Sequence, residues 1–324
     1  MFGSDSSKDG EEIVFSHKPV MLDEVIDSLE IDPDGIYVDG TAGGAGHSSA
    51  IAAKLKGGRL IALDRDPDAV KTASARLANF GDRATVVRSN FADVKSVCRS
   101  LGIERINGIL LDLGVSSYQL DTAERGFSYV ADAPLDMRMD TTAELDAYKV
   151  VNEYERDELV RILRDYGEER FASRIADRIC REREEKSIAT TGELVDIIRR
   201  SIPDGGKSQK HHPAMRSFQA IRIEVNGELE IIPNTIKDAC DLLVTGGIAA
   251  IITFHSLEDR LVKETYAELC QGCVCPRDFP VCVCGRKPRA ELVNRKPIVP
   301  GERELRENPR AHSAKLRVLR KLPE

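Results

Sequence analysis

The sequence predicts an α/β protein, an open Rossmann-like sheet into which an all-helical subdomain is inserted. Three observations predict it. Short apolar runs at Ile36 to Val38, Arg59 to Asp64, Ala84 to Arg88 and Gly108 to Leu113 alternate with stretches of helical spacing. A glycine-rich turn, Asp39-Gly-Thr-Ala-Gly-Gly-Ala-Gly-His47, joins the first of these runs to an alanine-rich helix pattern. Residues 150 to 202 break the alternation with purely helical periodicity, and it resumes near Gly247.

The totals agree with a globular protein. The 324 residues are 41% hydrophobic and 31% charged, enough chain for one large domain with an insertion or for two domains. No apolar run approaches the roughly 20 residues of a membrane span. The first residues, Met1 to Gly10, are polar and acidic without an apolar signal core, and read as a disordered leader of a cytoplasmic protein. The net charge of −7 hides an asymmetry. Residues 286–324 carry 12 Lys/Arg against 5 Asp/Glu, which leaves −14 on residues 1–285, so the tail fits either a phosphate partner or a solvated segment. Five of the eight cysteines form Cys270-x-x-Cys273-x-Cys275 and Cys282-x-Cys284, spacing open to bound zinc or to a loop of reduced or reversibly oxidised thiols. No metal is assigned to the site.

In chain order, Pro19 to Leu29 has apolar residues at 22, 25, 26 and 29, a short helix over the sheet edge or a ligand, with His17 just ahead of it. Ile36 to Val38 is the first strand. The turn that follows spends glycines where a main chain must approach a ligand, at the start of a helix over Gly46 to Leu55. Its spacing, Gly44-x-Gly46-x-x-Ser49, lacks the third glycine of the dinucleotide fingerprint, so the pattern indicates an adenosine-type cofactor without saying which. The strand Arg59 to Asp64 ends on a carboxylate 20 residues after Gly44, the distance of a ribose-binding acid, before a helix opened by Pro67. After the strand Ala84 to Arg88, Phe91 sits where it could lie against an adenine ring. The near-continuous apolar strand Gly108 to Leu113 delivers Asp112 to the carboxyl end of the sheet, where ligands bind in this architecture.

Periodicity then stops, and Arg125 to Asp140 reads as a long irregular lid. In the helical region Leu159, Leu163 and Tyr166 share one face, as do Phe171, Ile175 and Ile179, and Thr190-Thr-Gly-Glu193 is a capping box. Lys207 to Pro213 and Arg216 to Arg222 are basic with one aromatic, a nucleic-acid edge or a solvated loop. A helix over Glu228 to Val244 tolerates Pro233 near its first turn. A fifth strand, Gly247 to Phe254, ends in His255-Ser256; a helix over Glu258 to Leu269, the cysteine loop and a closing strand over Ala314 to Leu319 complete the chain.

Longer words then carry a resemblance. Ser16-His-Lys-Pro-Val-Met-Leu22, Asp39-Gly-Thr41, Leu111-Asp-Leu-Gly-Val-Ser-Ser117, Gly126-Phe-Ser128 with Pro134-Leu-Asp-Met-Arg-Met139, Arg216-x-Phe-Gln-Ala-Ile-Arg-Ile-x-Val-Asn226, Phe254-His-Ser-Leu-Glu-Asp-Arg260 and Asn308-Pro-Arg-Ala311 resemble the bacterial 16S ribosomal RNA cytosine-N4 methyltransferases of the RsmH (MraW) type. The resemblance runs from about His17 to Arg317. It implies a Rossmann-like class I methyltransferase sheet that uses S-adenosyl-L-methionine to methylate the exocyclic N4 of a cytidine in the decoding, P-site region of 16S rRNA, within the small ribosomal subunit. Residues 1–15 would be the leader, 16–139 and 214–324 a discontinuous methyltransferase domain, and 140–213 the helical insertion that recognises substrate. Carried over by motif, the cofactor site comprises Ala45, Gly46 and His47 at the turn, Asp64 on the ribose, Phe91 near the adenine, and Asp112 and Gln119 closing the pocket. Family members often have glycine where Ala45 stands, which matters if φ must be positive there. No membrane partner is implied, and a homodimer is left open.

The N4 lone pair of cytosine is delocalised into the ring, so the amine must be aligned with the methyl donor and relieved of a proton. Asp112 is the first candidate for that role, and His255 could position the base. The residues alone also allow a nicotinamide-dependent oxidoreductase, a methyltransferase of DNA, protein or small molecules, and a non-catalytic RNA-binding assembly factor. Against the DNA type, Asp112-Leu-Gly-Val stands where the Asn/Asp-Pro-Pro-aromatic word of amino methyltransferases is expected.

Overall fold

The computed structural model describes residues 18–206, 211–276, 281 and 283–323. The leader, His17, Lys207 to Lys210 and Cys282 lie outside the described residues. The first half runs α1 (Leu22–Ser28), β1 (Ile36–Asp39), α2 (Gly46–Lys54), β2 (Arg59–Asp64), α3 (Pro67–Leu77), β3 (Ala84–Arg88), α4 (Val94–Ser100), β4 (Ile106–Asp112) and α5 (Ser117–Asp121). Four helices follow: α6 (Ala147–Glu153), α7 (Arg156–Asp165), α8 (Ala172–Glu185) and α9 (Thr191–Ser201). The chain then returns through α10 (Met215–Asn226), α11 (Ile232–Leu242), β5 (Leu243–Thr253), α12 (Ser256–Cys270), β6 (Ala290–Leu292), α13 (Glu302–Glu307) and β7 (Lys315–Lys321).

The seven strands form one sheet of order β3-β2-β1-β4-β5-β7-β6. β1 to β5 are mutually parallel, and β7 runs antiparallel between β5 and β6. Successive residues of a strand face opposite sides, and the sequence alternates accordingly. Val38, Ile61, Leu63, Ile109 and Leu111 pack with Ile236, Val262 and Tyr266 on one side. Tyr37, Leu60, Ala62 and Leu110 pack with Val25, Ile51 and Ile252 on the other. Strands buried on both faces need the nearly unbroken apolar runs that the sequence supplies. The order in which strands are added reverses between the parallel strands β1 and β4, so the carboxyl ends of β1, β2 and β4 open a crevice at the switch point.

A third apolar cluster belongs to the helices between the two halves of the sheet. Phe127, Leu135 and Met137 from the irregular segment pack there with Val150, Leu163, Ile175, Ile198 and Phe218. The capping box at α9 is present: Thr190 Oγ1 accepts from the Glu193 amide at 3.3 Å, and Glu193 Oε2 accepts from the Thr190 amide at 3.2 Å. No helix among the described residues is long and apolar enough to cross a membrane.

Two boundaries differ from the sequence expectation. α11 opens at Ile232, which places Pro233 at the second helical position, where its missing N–H leaves no bond unmade. It closes at Leu242 because Leu243 already pairs with Ile106; a register shift then precedes the run that begins at Ile248 opposite Gly108. Hydropathy cannot register a strand that starts in an irregularity. β6 and α13 lie in the proline-interrupted basic stretch and carry no periodic signal.

Candidate active site

The glycine turn is held by carboxylates. Asp39, fully buried at the end of β1, accepts from the Ser48 hydroxyl at 2.6 Å and from the Thr41 amide at 3.1 Å. Burial raises its pKa while the Ser48 and Thr41 bonds oppose the rise. A side chain on Gly40 would place its Cβ 2.4 Å from Leu111 Cδ2, and one on Gly46 would stand 2.2 Å from Pro19 Cγ. A side chain at Gly46 would therefore push the Pro19 ring and the N-terminal segment away, whereas one at Gly40 would displace the end of Leu111. Ala45 caps α2 at φ 59°, ψ 29°, the left-handed conformation that glycine adopts without strain. Its methyl is buried in the core and does not line the crevice.

The crevice has about 1400 Å³ of space between its walls, mouth included. Asp64, Phe91, Asp112, His47, Gly46 and Gln119 all line it. Lys18 and Pro19 close it from the N-terminal segment, and Asn308 and Arg310 from the segment before β7. Those two segments are tied together: the Met21 amide donates to Glu304 Oε1 at 2.6 Å, and Lys18 pairs with Glu307 at 3.2 Å.

Two strand-end carboxylates face this space. Asp64 Oδ2 accepts from the Gly43 amide at 2.8 Å and Oδ1 from the Asp66 amide at 2.9 Å. Burial dominates over these bonds and pushes its pKa up to about 6. Asp112 is held through its own amide, which donates to Thr41 Oγ1 at 2.7 Å, but its Oδ1 is buried without a hydrogen-bond partner. Burial, reinforced by the negative charges of Asp39 and Glu258, pushes it up to about 8, far from the ordinary 3.8. The group beside it is His47, whose Nε2 lies 3.8 Å from Asp112 Oδ2. Burial drives the imidazole down to about 4, so His47 is neutral and lends Asp112 no positive charge. The Val20 carbonyl approaches this ring without hydrogen-bond geometry.

His255 lies at the start of α12 and does not line the crevice. Its Nε2 is 3.0 Å from Glu258 Oε1, at an angle short of a hydrogen bond. Glu258 is buried at the third position of the helix, accepting from the Phe254 amide at 2.8 Å and the His255 amide at 3.2 Å. Burial works to raise its pKa, yet the His255 contact and the Arg222 charge outweigh it and hold the carboxyl below its ordinary range. Arg222 in turn makes two 2.9 Å bonds to the Glu228 carboxylate. Glu258 and Glu228 both reach the crevice wall. Neither acid was singled out from the sequence, although Glu258 stands three residues after His255, the spacing of a helix-start acid.

Three expectations change in detail. Arg222 is no nucleic-acid edge: α10 turns it inward to Glu228, and Phe218 is buried in the helical core. Gln119 lines the crevice with its amide already engaged, Nε2 donating to Asp66 at 2.8 Å and Oε1 accepting from the Ser116 amide at 2.9 Å. Residues 125–140 are irregular but clamped. Arg125 donates to Asp66 and to the carbonyls of Arg138 and Met139, while Asn226 receives the Met139 amide and donates to the Met137 carbonyl. From this segment Met139 reaches the crevice.

Comparison with known proteins agrees with this architecture. The model of the MraW methylase family matches residues 14–322. A protein of Acetivibrio thermocellus named ribosomal RNA small subunit methyltransferase H is 58% identical over 311 residues, 95% of this chain and 99% of that protein. Proteins of the same name from Ruminiclostridium cellulolyticum and Heliobacterium modesticaldum are 56% and 53% identical, covering 95% and 96% of this chain. A match of that extent, on a sheet of this strand order with a glycine turn and two strand-end carboxylates around one crevice, means that the chain belongs to the MraW methylase family.

Proposed function

We propose that this protein transfers a methyl group from S-adenosyl-L-methionine to the exocyclic N4 of a cytidine in the P-site region of 16S rRNA, presented within the small ribosomal subunit. The observation that carries the reading is Asp112, a carboxylate at the end of β4 that lines the crevice and has one oxygen buried and unpartnered. The names of the relatives support the small-subunit substrate. That substrate places the reaction in the cytoplasm.

The crevice fits the cofactor. Asp64 retains lone pairs to accept ribose hydroxyls after bonding Gly43 and Asp66. Phe91 offers a face to the adenine. The first amides of α2, at Gly46 and His47, have no partner among the described residues and suit a carboxylate at a helix start. When bound, the cofactor supplies an electrophilic methyl group on a sulfonium.

Asp112 accepts the proton that N4 loses as its new bond to carbon forms. A base whose pKa is near 8 remains a strong acceptor close to working pH, whereas an ordinary carboxylate is a weak one. Glu258 and Asp39 keep Asp112 basic through their charge, and neutral His47 keeps it unpaired. His255 acts on the base side through Glu258. Residues 140–213 form the unit against which the unstacked nucleotide is received, with 16–139 and 214–324 as the methyltransferase domain.

Mapping N4-methylcytidine in 16S rRNA from cells with and without this chain tests the reading. One modified cytidine that disappears with the chain and returns with the wild-type copy supports it. An unchanged modification map, or binding of NAD in preference to S-adenosyl-L-methionine, overturns it.

A further inference from the structure

Between α12 and β6 the chain makes a long excursion that packs poorly. Val274, Val281 and Val283 are 48%, 69% and 73% exposed, so these valines build no apolar core among the described residues of the loop. Its stem is nevertheless fixed. The Arg289 amide donates to the Leu269 carbonyl at 2.9 Å, and Arg286 Nη2 donates to the Glu268 carbonyl at 2.9 Å. A loop with a closed stem and outward-facing valines needs another source of shape, and small units without a core commonly take it from a cross-link or a metal.

At its centre the sulfurs of Cys273, Cys275 and Cys284 lie within 4.8 Å of one another. Cys273 Sγ and Cys284 Sγ are 3.7 Å apart. A tetrahedral zinc site with Zn–S near 2.3 Å places its sulfurs about 3.8 Å apart, so this pair already stands at ligand separation. Main-chain donors converge on the same sulfurs: the Cys275 amide points at Cys273 Sγ and the Val283 amide at Cys275 Sγ, each at 3.4 Å. Soft sulfur ligands at this spacing select zinc over the hard divalent cations.

We infer that Cys273, Cys275 and Cys284 form a thiolate site for a zinc ion, separate from the methyl-transfer crevice, that braces the loop between α12 and β6. Each thiol releases its proton on binding, and the remaining tetrahedral position is filled by water or a further donor. The site is structural: neither the crevice walls nor the strand-end carboxylates include any of these cysteines.

The test uses the full chain, purified under reducing conditions without chelator and dialysed against micromolar zinc. One zinc ion per chain by mass spectrometry is expected, and replacement by cobalt should give a thiolate-to-cobalt charge-transfer band. C275S should lose the band's full intensity, the C273S/C284S double variant should lose stoichiometric metal, and C98S and C180S should retain it. A chelator should expose the loop to protease without changing S-adenosyl-L-methionine binding. Reduced wild-type chain that takes up no zinc and gives no cobalt band would overturn the inference, as would undiminished uptake by C273S/C284S. The wild-type cobalt spectrum decides the matter even if a variant misfolds.

Discussion

Asp64 and Asp112 end two strands of the same sheet and line the same crevice, yet they are built in opposite ways. Two main-chain amides hold Asp64 in place, and its pKa rises only to about 6. Asp112 receives no such bond at Oδ1, stands among further acids, and rises to about 8. A carboxylate fixed by amides is a placed acceptor that holds a hydroxyl group. One denied partners is a reservoir of basicity, maintained at the expense of stability. The contrast separates holding a cofactor from accepting a proton.

The largest test of this contrast is D112N. It should lower single-turnover methyl transfer by about 100- to 10,000-fold, the range of a lost general base, while leaving S-adenosyl-L-methionine affinity within about threefold. Normal turnover would remove Asp112 from the chemistry. The same variant should be more stable above pH 8 by on the order of 1–3 kcal/mol, measured by urea denaturation, because an unsatisfied buried charge is gone.

D64A should do the reverse. Losing a charged acceptor worth about 1.5–3 kcal/mol predicts cofactor binding weaker by roughly 10- to 150-fold in calorimetry, with turnover at saturating cofactor much less affected. Equal loss of turnover in D64A and D112N would erase the division between the two acids.

A pH titration sharpens it further. Asp112 must be ionised to accept a proton, so single-turnover rate should climb as pH rises towards about 8 and level off above it. Stability runs the other way. Between the unfolded value near 3.8 and about 8 the folded chain binds the extra proton, so stability falls as pH rises through that window, and D112N should flatten this slope. E258Q removes one of the charges that raise Asp112 and should move the rate profile to lower pH by less than about one unit, with the two amide bonds to position 258 retained.

The smallest effect is expected at Ala45. A45G relieves a left-handed alanine but loses a buried methyl and frees the unfolded chain, so melting should shift by no more than about 1 kcal/mol in equivalent stability.

What the sequence made legible follows the physics that writes it there. The strands, the capping box at Thr190 and Glu193, and the strand-end positions of Asp64 and Asp112 are local patterns of period, cap and spacing. Arg222 was misleading because composition counts a guanidinium without showing which way its helix faces. The clamp on residues 125–140 was invisible for a different reason: Asn226 lies 87 and 89 residues from the backbone groups of Met139 and Met137 that it binds. The positive φ of Ala45 could be posed as a question from the motif and answered only by the backbone.

The wall of the crevice has one more consequence, which concerns time. Asn308 and Arg310 complete the pocket, Glu304 and Glu307 hold the segment that carries Lys18 and Pro19, and β7 slots between β5 and β6, strands made before it. A nascent chain that has emerged only as far as β6 has the glycine turn and both carboxylates but neither the closing wall nor the strand that joins β6 to the sheet. The crevice therefore gains its last lining residues, Asn308 and Arg310, only when synthesis has reached the segment before β7.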